Sequence, residues 1–411
     1  MKEENRKRGI WSFPWGYRES FIIALSIMVL GFLIQAFTGK GVQLPGWPVN
    51  VIIIVIFVAY LILIYRFVKH PAVKWLSSTP AAIASISVFT ILVLLMGFIP
   101  QKDADASGFL LSTGLNHVTR SWAYLLSSLF LLVVLGFTII RRFLPFSIKN
   151  LAFFLNHGGL WVVVVSASLG SADLWRLSLP VQEQGVSFTA YDAGNNAYRL
   201  PFAVKLIDFD IEEYPPRLGL MRNSDGTLMM KKGDKLFEVE EGSEGQLNEW
   251  KLFVVSYYTD SRRDSLRYSP DTTAGSAPSA LILAMNSETR DTVLGWVSSG
   301  SFRMPPAYMN LNDEVSLAML QPGPKKYSSK IRIYESMEHY EEFLVEVNKP
   351  VKFKGWKIYQ VGYNERMGKW STLSILELVK DPWLPVVYTG IFMILTGSLY
   401  LVWMGRSKKP E

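Results

Sequence analysis

Six apolar stretches, each close to or at bilayer-spanning length, constrain this chain more than any other feature. They cover residues 20–37, 49–68, 81–98, 122–140, 151–170 and 384–403. An α-helix needs ~20 residues to cross a hydrocarbon core ~30 Å thick. None of the stretches contains Lys, Arg, Asp or Glu except Arg66, near the end of the second. One such stretch could be a buried helix of a soluble core; six in one chain read as membrane spans. The expected fold is a membrane α-helical bundle of about six transmembrane helices plus a large extracytoplasmic all-β domain.

Basic residues set the expected orientation, because cytoplasmic loops of membrane proteins are enriched in Lys and Arg. One side carries Lys2, Arg6, Lys7, Arg8, Arg18, Arg66, Lys69, Lys74, Arg141, Arg142, Lys149, Arg406, Lys408 and Lys409. The opposite short loops carry Lys40, Lys102 and Arg120. Fourteen against three places both termini in the cytoplasm and the long fifth-to-sixth connection outside. The first span follows a basic run, as a signal sequence does, but no small-x-small cleavage site follows it, so it reads as a retained anchor. The expected division is therefore a cytoplasmic basic N-terminus (1–19), a five-helix transmembrane region (20–170) and an extracytoplasmic β-rich domain (171–383). A C-terminal anchor (384–403) and a cytoplasmic tail (404–411) complete it.

The net charge of +7 raises the question of nucleic acid. Residues 171–383 hold 25 basic and 29 acidic side chains, a net of −4, and the rest of the chain is +11. The basicity belongs to the membrane edge, where anionic lipid accounts for it, so no nucleic-acid partner is expected. The chain has no cysteine. Disulfides, CxxC redox chemistry and cysteine-ligated iron–sulfur clusters are excluded for it.

The external segment reads as β-rich. Val204-Lys-Leu-Ile-Asp-Phe-Asp-Ile-Glu-Glu-Tyr214 alternates over part of its length, the period of a half-buried strand. Further expected strands cover 251–258, 280–284, 292–297, 330–336, 342–347, 356–362 and 371–378. Turn residues separate them at Asn223-Ser-Asp-Gly226, Lys232-Gly-Asp234, Gln321-Pro-Gly-Pro324 and Lys354-Gly355. Short strands with frequent turns suggest a sandwich or an open barrel. Residues 260–279, rich in Ser, Asp, Thr and Arg, read as a mobile loop.

Candidate chemistry is sparse. There is no HxxH, HExxH, CxxC, GxSxG or Walker A pattern, and no catalytic residue is assigned. Asp208, Asp210 and Glu212 alternate along one strand, the pattern of a solvated sheet face. Of the four histidines, His157 is the informative one. It lies in Phe153-Phe-Leu-Asn-His-Gly-Gly-Leu-Trp161, roughly 9 Å along the fifth span from its cytoplasmic end. A polar side chain there needs a partner or a cavity. The following glycines leave room for a flat ligand or for another helix, so haem ligation and helix–helix packing both fit. His117, in Thr113-Gly-Leu-Asn-His-Val-Thr-Arg120, is a secondary candidate on the outer face, with an exposed loop histidine as the plainer reading. His70, before Pro71, is expected to end its helix, and His339 sits among solvated acids.

The segment Glu346-Val-Asn-Lys-Pro-Val-Lys-Phe-Lys-Gly-Trp-Lys-Ile-Tyr-Gln360 closely resembles the strand–turn–strand signature of the ResB/CcsB family of cytochrome c biogenesis proteins. Gly362-Tyr363, Leu378-Val-Lys-Asp-Pro382 and Leu384-Pro-Val-Val-Tyr-Thr-Gly390 follow it as in that family. Leu200–Phe209 resembles the family's first external strand, and Tyr327–Tyr334 its "Y.S.l.v" segment. Arg141-Arg142 and His157 also match. The resemblance covers about residues 81–405. Within the signature, Pro350 suits a strand entry and Gly355 a tight turn, while Trp356 and Tyr359 are expected to pack the domain onto its membrane anchor.

The resemblance implies a system II role: export of haem b across the cytoplasmic membrane and its attachment to reduced CxxCH cysteines of apocytochrome c. It implies a CcsA/ResC-type membrane partner carrying a tryptophan-rich haem motif, and a thiol-reducing thioredoxin-like protein as a further partner. His157 falls where the family places a membrane histidine, an axial haem ligand whose iron is the only metal expected. Two departures stand out. The family core usually has four spans, and here two precede it. The tryptophan-rich motif is absent, the 13 Trp being scattered. The chain thus reads as a non-catalytic subunit of a haem lyase complex, the alternative being a scaffold or apocytochrome chaperone that binds no haem.

Overall fold

The computed structural model describes residues 11–101, 107–143, 147–229 and 236–406. Lys2, Arg6, Lys7, Arg8, Lys102, Lys408 and Lys409, which contribute to the orientation argument, lie outside the described residues, as does the turn at Lys232-Gly-Asp234. The chain divides into two compact units: Trp175–Val379, and the residues on either side of it.

The helical unit contains α1 (Tyr17–Thr38), α2 (Val49–Phe67), the short α3 (Pro71–Leu76), α4 (Thr79–Phe98), the short α5 (Gly108–Thr113), α6 (Trp122–Phe143), α7 (Leu151–Leu169) and α8 (Leu384–Arg406). Six of these are long and apolar enough to cross a membrane, and the protein is a membrane protein. Helix is the form such segments must take, since hydrocarbon offers backbone groups no partner outside their own segment. The ends are closed locally. Glu19 Oε2 accepts the Gly16 N–H at 2.8 Å ahead of α1, and Gly39, at φ 61°, ends that helix. Asp381 Oδ1 accepts the N–H groups of Trp383 and Leu384, both at 3.0 Å, at the start of α8. The helix α6 is the most buried of the six. Gly31 of α1 meets its backbone so closely that a Cβ would lie 2.4 Å from Ala123 Cα, the small-residue contact that membrane helices use. Ile56, Leu63, Phe392 and Leu399 stand exposed on the outer faces, as expected where lipid rather than water is the neighbour.

The β unit has two lobes. The first is one eight-stranded sheet, in spatial order Tyr340–Glu346, Pro324–Tyr334, Ala197–Glu213, Val186–Tyr191, Trp175–Gln182, Leu373–Lys380, Trp356–Tyr363 and Val351–Phe353. Its two edge strands are consecutive in the chain and lie beside each other, so the sheet curls into an open barrel. Leu179, Val204, Leu206, Ile331, Ile333, Ile358, Leu376 and Leu378 fill it. Alternation drives this: Ala197–Glu213 buries every second residue from Leu200 to Leu206.

The second lobe is a sandwich. One sheet holds Thr292–Ser298, Ala277–Asn286, Trp250–Asp264 and Glu244–Leu247, with Arg267–Pro270 paired to the third of these. The other holds Met309–Asn310, Val315–Leu320, Arg217–Arg222 and Phe237–Glu238. Leu218, Trp250, Leu252, Ile282, Ala284 and Leu317 form the core between them. Barrel and sandwich, alternatives on the sequence, are both present, the sandwich inserted between two paired barrel strands.

Residues 260–279 are a loop only over 271–276. The strand Trp250–Asp264 runs into the segment and turns back on Arg267–Pro270, with Asp264 opposite Arg267 and Ser261 opposite Pro270. Arg262, Arg263 and Asp264 are exposed, so the hairpin has the polar composition of a loop while its backbone is paired. Eight strands escape the sequence reading: Trp175–Gln182, Val186–Tyr191, Arg217–Arg222, Phe237–Glu238, Glu244–Leu247, Arg267–Pro270, Met309–Asn310 and Val315–Leu320. The last is buried at nearly every position and shows no alternation to detect.

Candidate functional site

Two polar residues adjacent on α7 have different surroundings. Asn156 belongs to the face that meets α8. Its Nδ2 donates to Ala152 O at 3.0 Å, and its Oδ1 accepts from Ser398 Oγ at 2.9 Å. Three residues on, Gly159 lies on the same face. A Cβ there would stand 2.6 Å from Gly390 O. A Cβ on Gly397 would stand 2.8 Å from Asn156 Nδ2. The gap left by Gly159 is filled by α8.

His157 sits ~100° further round the helix. Its half-buried ring stacks on Phe153, centroids 3.8 Å apart and planes 24° apart. Nδ1 lies 3.0 Å from Phe153 O. A carbonyl can only accept, so this contact assigns the proton to Nδ1 and the lone pair to Nε2. Nε2 has no hydrogen-bond partner among the described residues. The Arg142 guanidinium, from the end of α6, lies 4.2 Å from the Phe153 ring centroid, a cation–π contact.

The other histidines do not join it. His117 precedes α6 and Arg142 lies near that helix's other end. The 22 residues of α6 span ~33 Å, so His117 and His157 belong to opposite ends and cannot share one iron. His117 is half-buried rather than exposed, because Gln101 ties down its segment. Gln101 donates to Leu115 O at 3.0 Å and accepts from Val118 N at 2.9 Å. His70 starts a helix instead of ending one: α2 closes at Phe67, and His70 Nδ1 accepts the Ala72 N–H of α3 at 3.2 Å. His339 lies exposed in a hairpin, 3.3 Å from Ser336 Oγ. Asp208, Asp210 and Glu212 are exposed on the barrel exterior, and Glu212 pairs with Lys325 at 2.5 Å. No group of three or more His, Cys, Asp or Glu converges on a metal position among the described residues.

The signature segment turns out to build the barrel. Asn348, at φ 63°, makes the turn between Tyr340–Glu346 and Val351–Phe353, and Lys349 N donates to Glu346 O at 3.1 Å. Lys354 and Gly355, at φ 45° and 83°, make the next turn, the paired left-handed geometry of a two-residue hairpin. Pro350 precedes the strand it was expected to enter. Trp356, expected to pack on the anchor, is buried in the barrel core beside Phe202, because its strand position points inward.

Two polar knots have no signature in the sequence. Gln360 is buried in the barrel. Its Oε1 accepts from Ser329 Oγ at 2.5 Å and Ser374 Oγ at 3.1 Å, and its Nε2 donates to Gly362 O at 2.9 Å. Ser329 is on a strand far from the other two in sheet order, so these bonds cross the barrel interior. In the helical unit, Asp173 Oδ1 accepts from Trp47 N at 2.7 Å. Its Oδ2 accepts from Asn50 Nδ2 at 2.7 Å and Trp383 Nε1 at 2.6 Å. Together these bonds fasten the starts of α2 and α8 to the end of α7. Gly362 apart, the partners are 14 to 210 residues away, beyond any motif.

Comparison with known proteins agrees with the signature. Residues 279–375 match the model of the ResB-like family. The match contains the signature and lies in the β unit, and it bears out the resemblance over that segment. It does not extend to the helices or to His157. No curated protein matches the chain.

Proposed function

From a membrane protein with a ResB-like segment, we propose a subunit of a cytochrome c biogenesis complex that helps export haem b and attach it to apocytochrome c. The observation that carries the haem role is the division of labour on α7. Helix packing occupies Asn156 and Gly159, while the Nε2 lone pair of His157 meets no donor among the described residues and its ring is held by Phe153. A half-buried imidazole in that state suits an axial ligand to iron. Arg142 supplies a cation at the same end of the bundle, which suits a propionate.

The basic-residue asymmetry supports a cytoplasmic position for the Arg142 end and for both termini, with the β unit outside. The second axial ligand then comes from a CcsA/ResC-type partner, since His70, the other histidine on that side, spends its Nδ1 lone pair on the Ala72 N–H. Having no cysteine, the chain leaves reduction of the apocytochrome to a thioredoxin-like protein.

The test is co-purification with the partner. His157→Ala should abolish the Soret band, and imidazole added to His157→Gly should restore it. Unchanged spectra and cytochrome c levels in His157→Ala would reject the ligand role. A scaffold or apocytochrome-chaperone role is the second reading, favoured by the use of the signature residues in building the barrel. It predicts an intact Soret band in His157→Ala and loss of the complex when the barrel is disrupted.

A further inference from the structure

The sandwich lobe interrupts the barrel between two strands that pair with each other, Ala197–Glu213 and Pro324–Tyr334. The chain leaves through Tyr214-Pro215-Pro216 and returns through Gln321-Pro322-Gly323. At these connections the β unit has a cleft of about 480 Å³. A second hollow of about 250 Å³ adjoins it, sharing Tyr214, Pro215 and Pro322. The larger volume is within the usual range of ligand pockets, about 300–1,000 Å³. Neither hollow includes any group assigned a role above.

The cleft combines two chemistries. Tyr214, Tyr257 and four prolines give it flat apolar walls. Glu213, Glu240 and Glu241 give it negative charge, against Lys369 as the one basic residue of its lining. Lys369 offsets only part of that charge, since its Nζ also pairs with Asp260 at 2.5 Å. Burial pushes the Glu213 carboxyl above its usual range, with Asp260 adding to the shift and Lys369 opposing it. Glu240 and Glu241 are exposed at the rim. The cleft therefore carries an excess of negative charge that a cation would relieve.

We propose that this cleft binds an extended, basic stretch of polypeptide. Its rings take the backbone and the aliphatic stems, and Glu213, Glu240 and Glu241 take the Lys or Arg heads. A metal ion fits poorly, because no three ligating side chains converge there among the described residues. An isolated small amine would leave the adjoining hollow unfilled, whereas a chain can run from one hollow to the next past Tyr214. Grooves walled by aromatic rings are a recurrent way to hold extended peptide. This inference goes beyond the haem reading and depends on neither His157 nor iron.

The test uses the full chain in detergent micelles and fluorescence anisotropy of a labelled decapeptide of alternating Lys and Pro, with the Glu–Pro peptide as its counterpart. The Lys–Pro peptide should bind saturably and the Glu–Pro peptide should not. Raising NaCl tenfold should weaken binding several-fold. The double variant Glu240→Gln/Glu241→Gln, at exposed positions that leave the unfolding midpoint unchanged, should weaken binding about fivefold. Glu213→Gln and Tyr214→Ala should each weaken it as well. Equal binding of the two peptides, or Lys–Pro binding indifferent to all these substitutions, would overturn the proposal. So would full competition by lysine amide at the peptide's own concentration, which would make the ligand a lone amine.

Discussion

The imidazole of His157 lies almost flat on the ring of Phe153, one turn back along the same helix, with 3.8 Å between centroids. The same residue's carbonyl faces Nδ1. Orientation and tautomer of the histidine are thus set by its own helix, and packing against α8 is left to its neighbours.

That separation predicts opposite costs for neighbouring substitutions. His157→Ala should lower the stability of the helical unit by no more than about 1 kcal/mol, the worth of one ring contact. Gly159→Val should cost about 3 kcal/mol, since its side chain collides with the Gly390 carbonyl and Ile394 of α8. Thermal unfolding in detergent measures both. The reverse order would make His157 a packing residue.

Asp173 accepts three hydrogen bonds from three different segments. Asp173→Ala should leave the Trp47, Asn50 and Trp383 donors without that acceptor and cost about 2–4 kcal/mol. Asp173→Asn keeps the shape and one acceptor oxygen, and should recover part of the loss. Limited proteolysis between α1 and α2, together with the unfolding midpoint, gives the reading; an unchanged midpoint in Asp173→Ala would show that the knot is dispensable.

Gln360→Leu should cost about 2 kcal/mol, because the Ser329 and Ser374 hydroxyls lose their common acceptor inside the barrel. Hydrogen exchange should quicken in Pro324–Tyr334, which the side chain ties across the interior, as well as in its sheet neighbour Leu373–Lys380. Faster exchange in Leu373–Lys380 alone would mean that it serves its own sheet neighbours only.

Glu346 pairs with Lys326 and Lys349, and these ammonium groups hold its carboxyl down at about 2. A carboxylate whose folded value lies below its unfolded one stabilises the fold at pH above the unfolded value, ordinarily near 4.5. That contribution is lost as pH falls toward 2. At low salt the β unit should lose stability progressively over this window, Glu346→Gln should flatten the profile, and salt should do the same because the pairs face solvent. Identical acid profiles for Glu346→Gln and the unsubstituted protein would remove the pairs from the account.

Legibility followed the range of the interactions involved. The turn role of Gly355 is readable because a left-handed backbone is a local demand that Gly meets. The strand 315–320 is unreadable as such because it is buried at nearly every position, and periodicity reports only on half-buried elements. The hairpin at 260–270 is hidden for the opposite reason, its polar side chains facing solvent on a paired backbone.

By itself, the order of residues determined that this is a six-span membrane protein with one large β-rich segment, since hydropathy adds up along short windows whatever lies elsewhere in the chain. It also brought His157 forward as a polar group in an apolar helix. Only the tertiary structure decided that α8 takes Asn156 and Gly159 and leaves His157 aside. It alone set the barrel and sandwich as one inserted in the other, and it alone joined Gln360 and Asp173 to partners far along the chain. Those outcomes depend on which faces meet, a relation between distant segments that no local window contains.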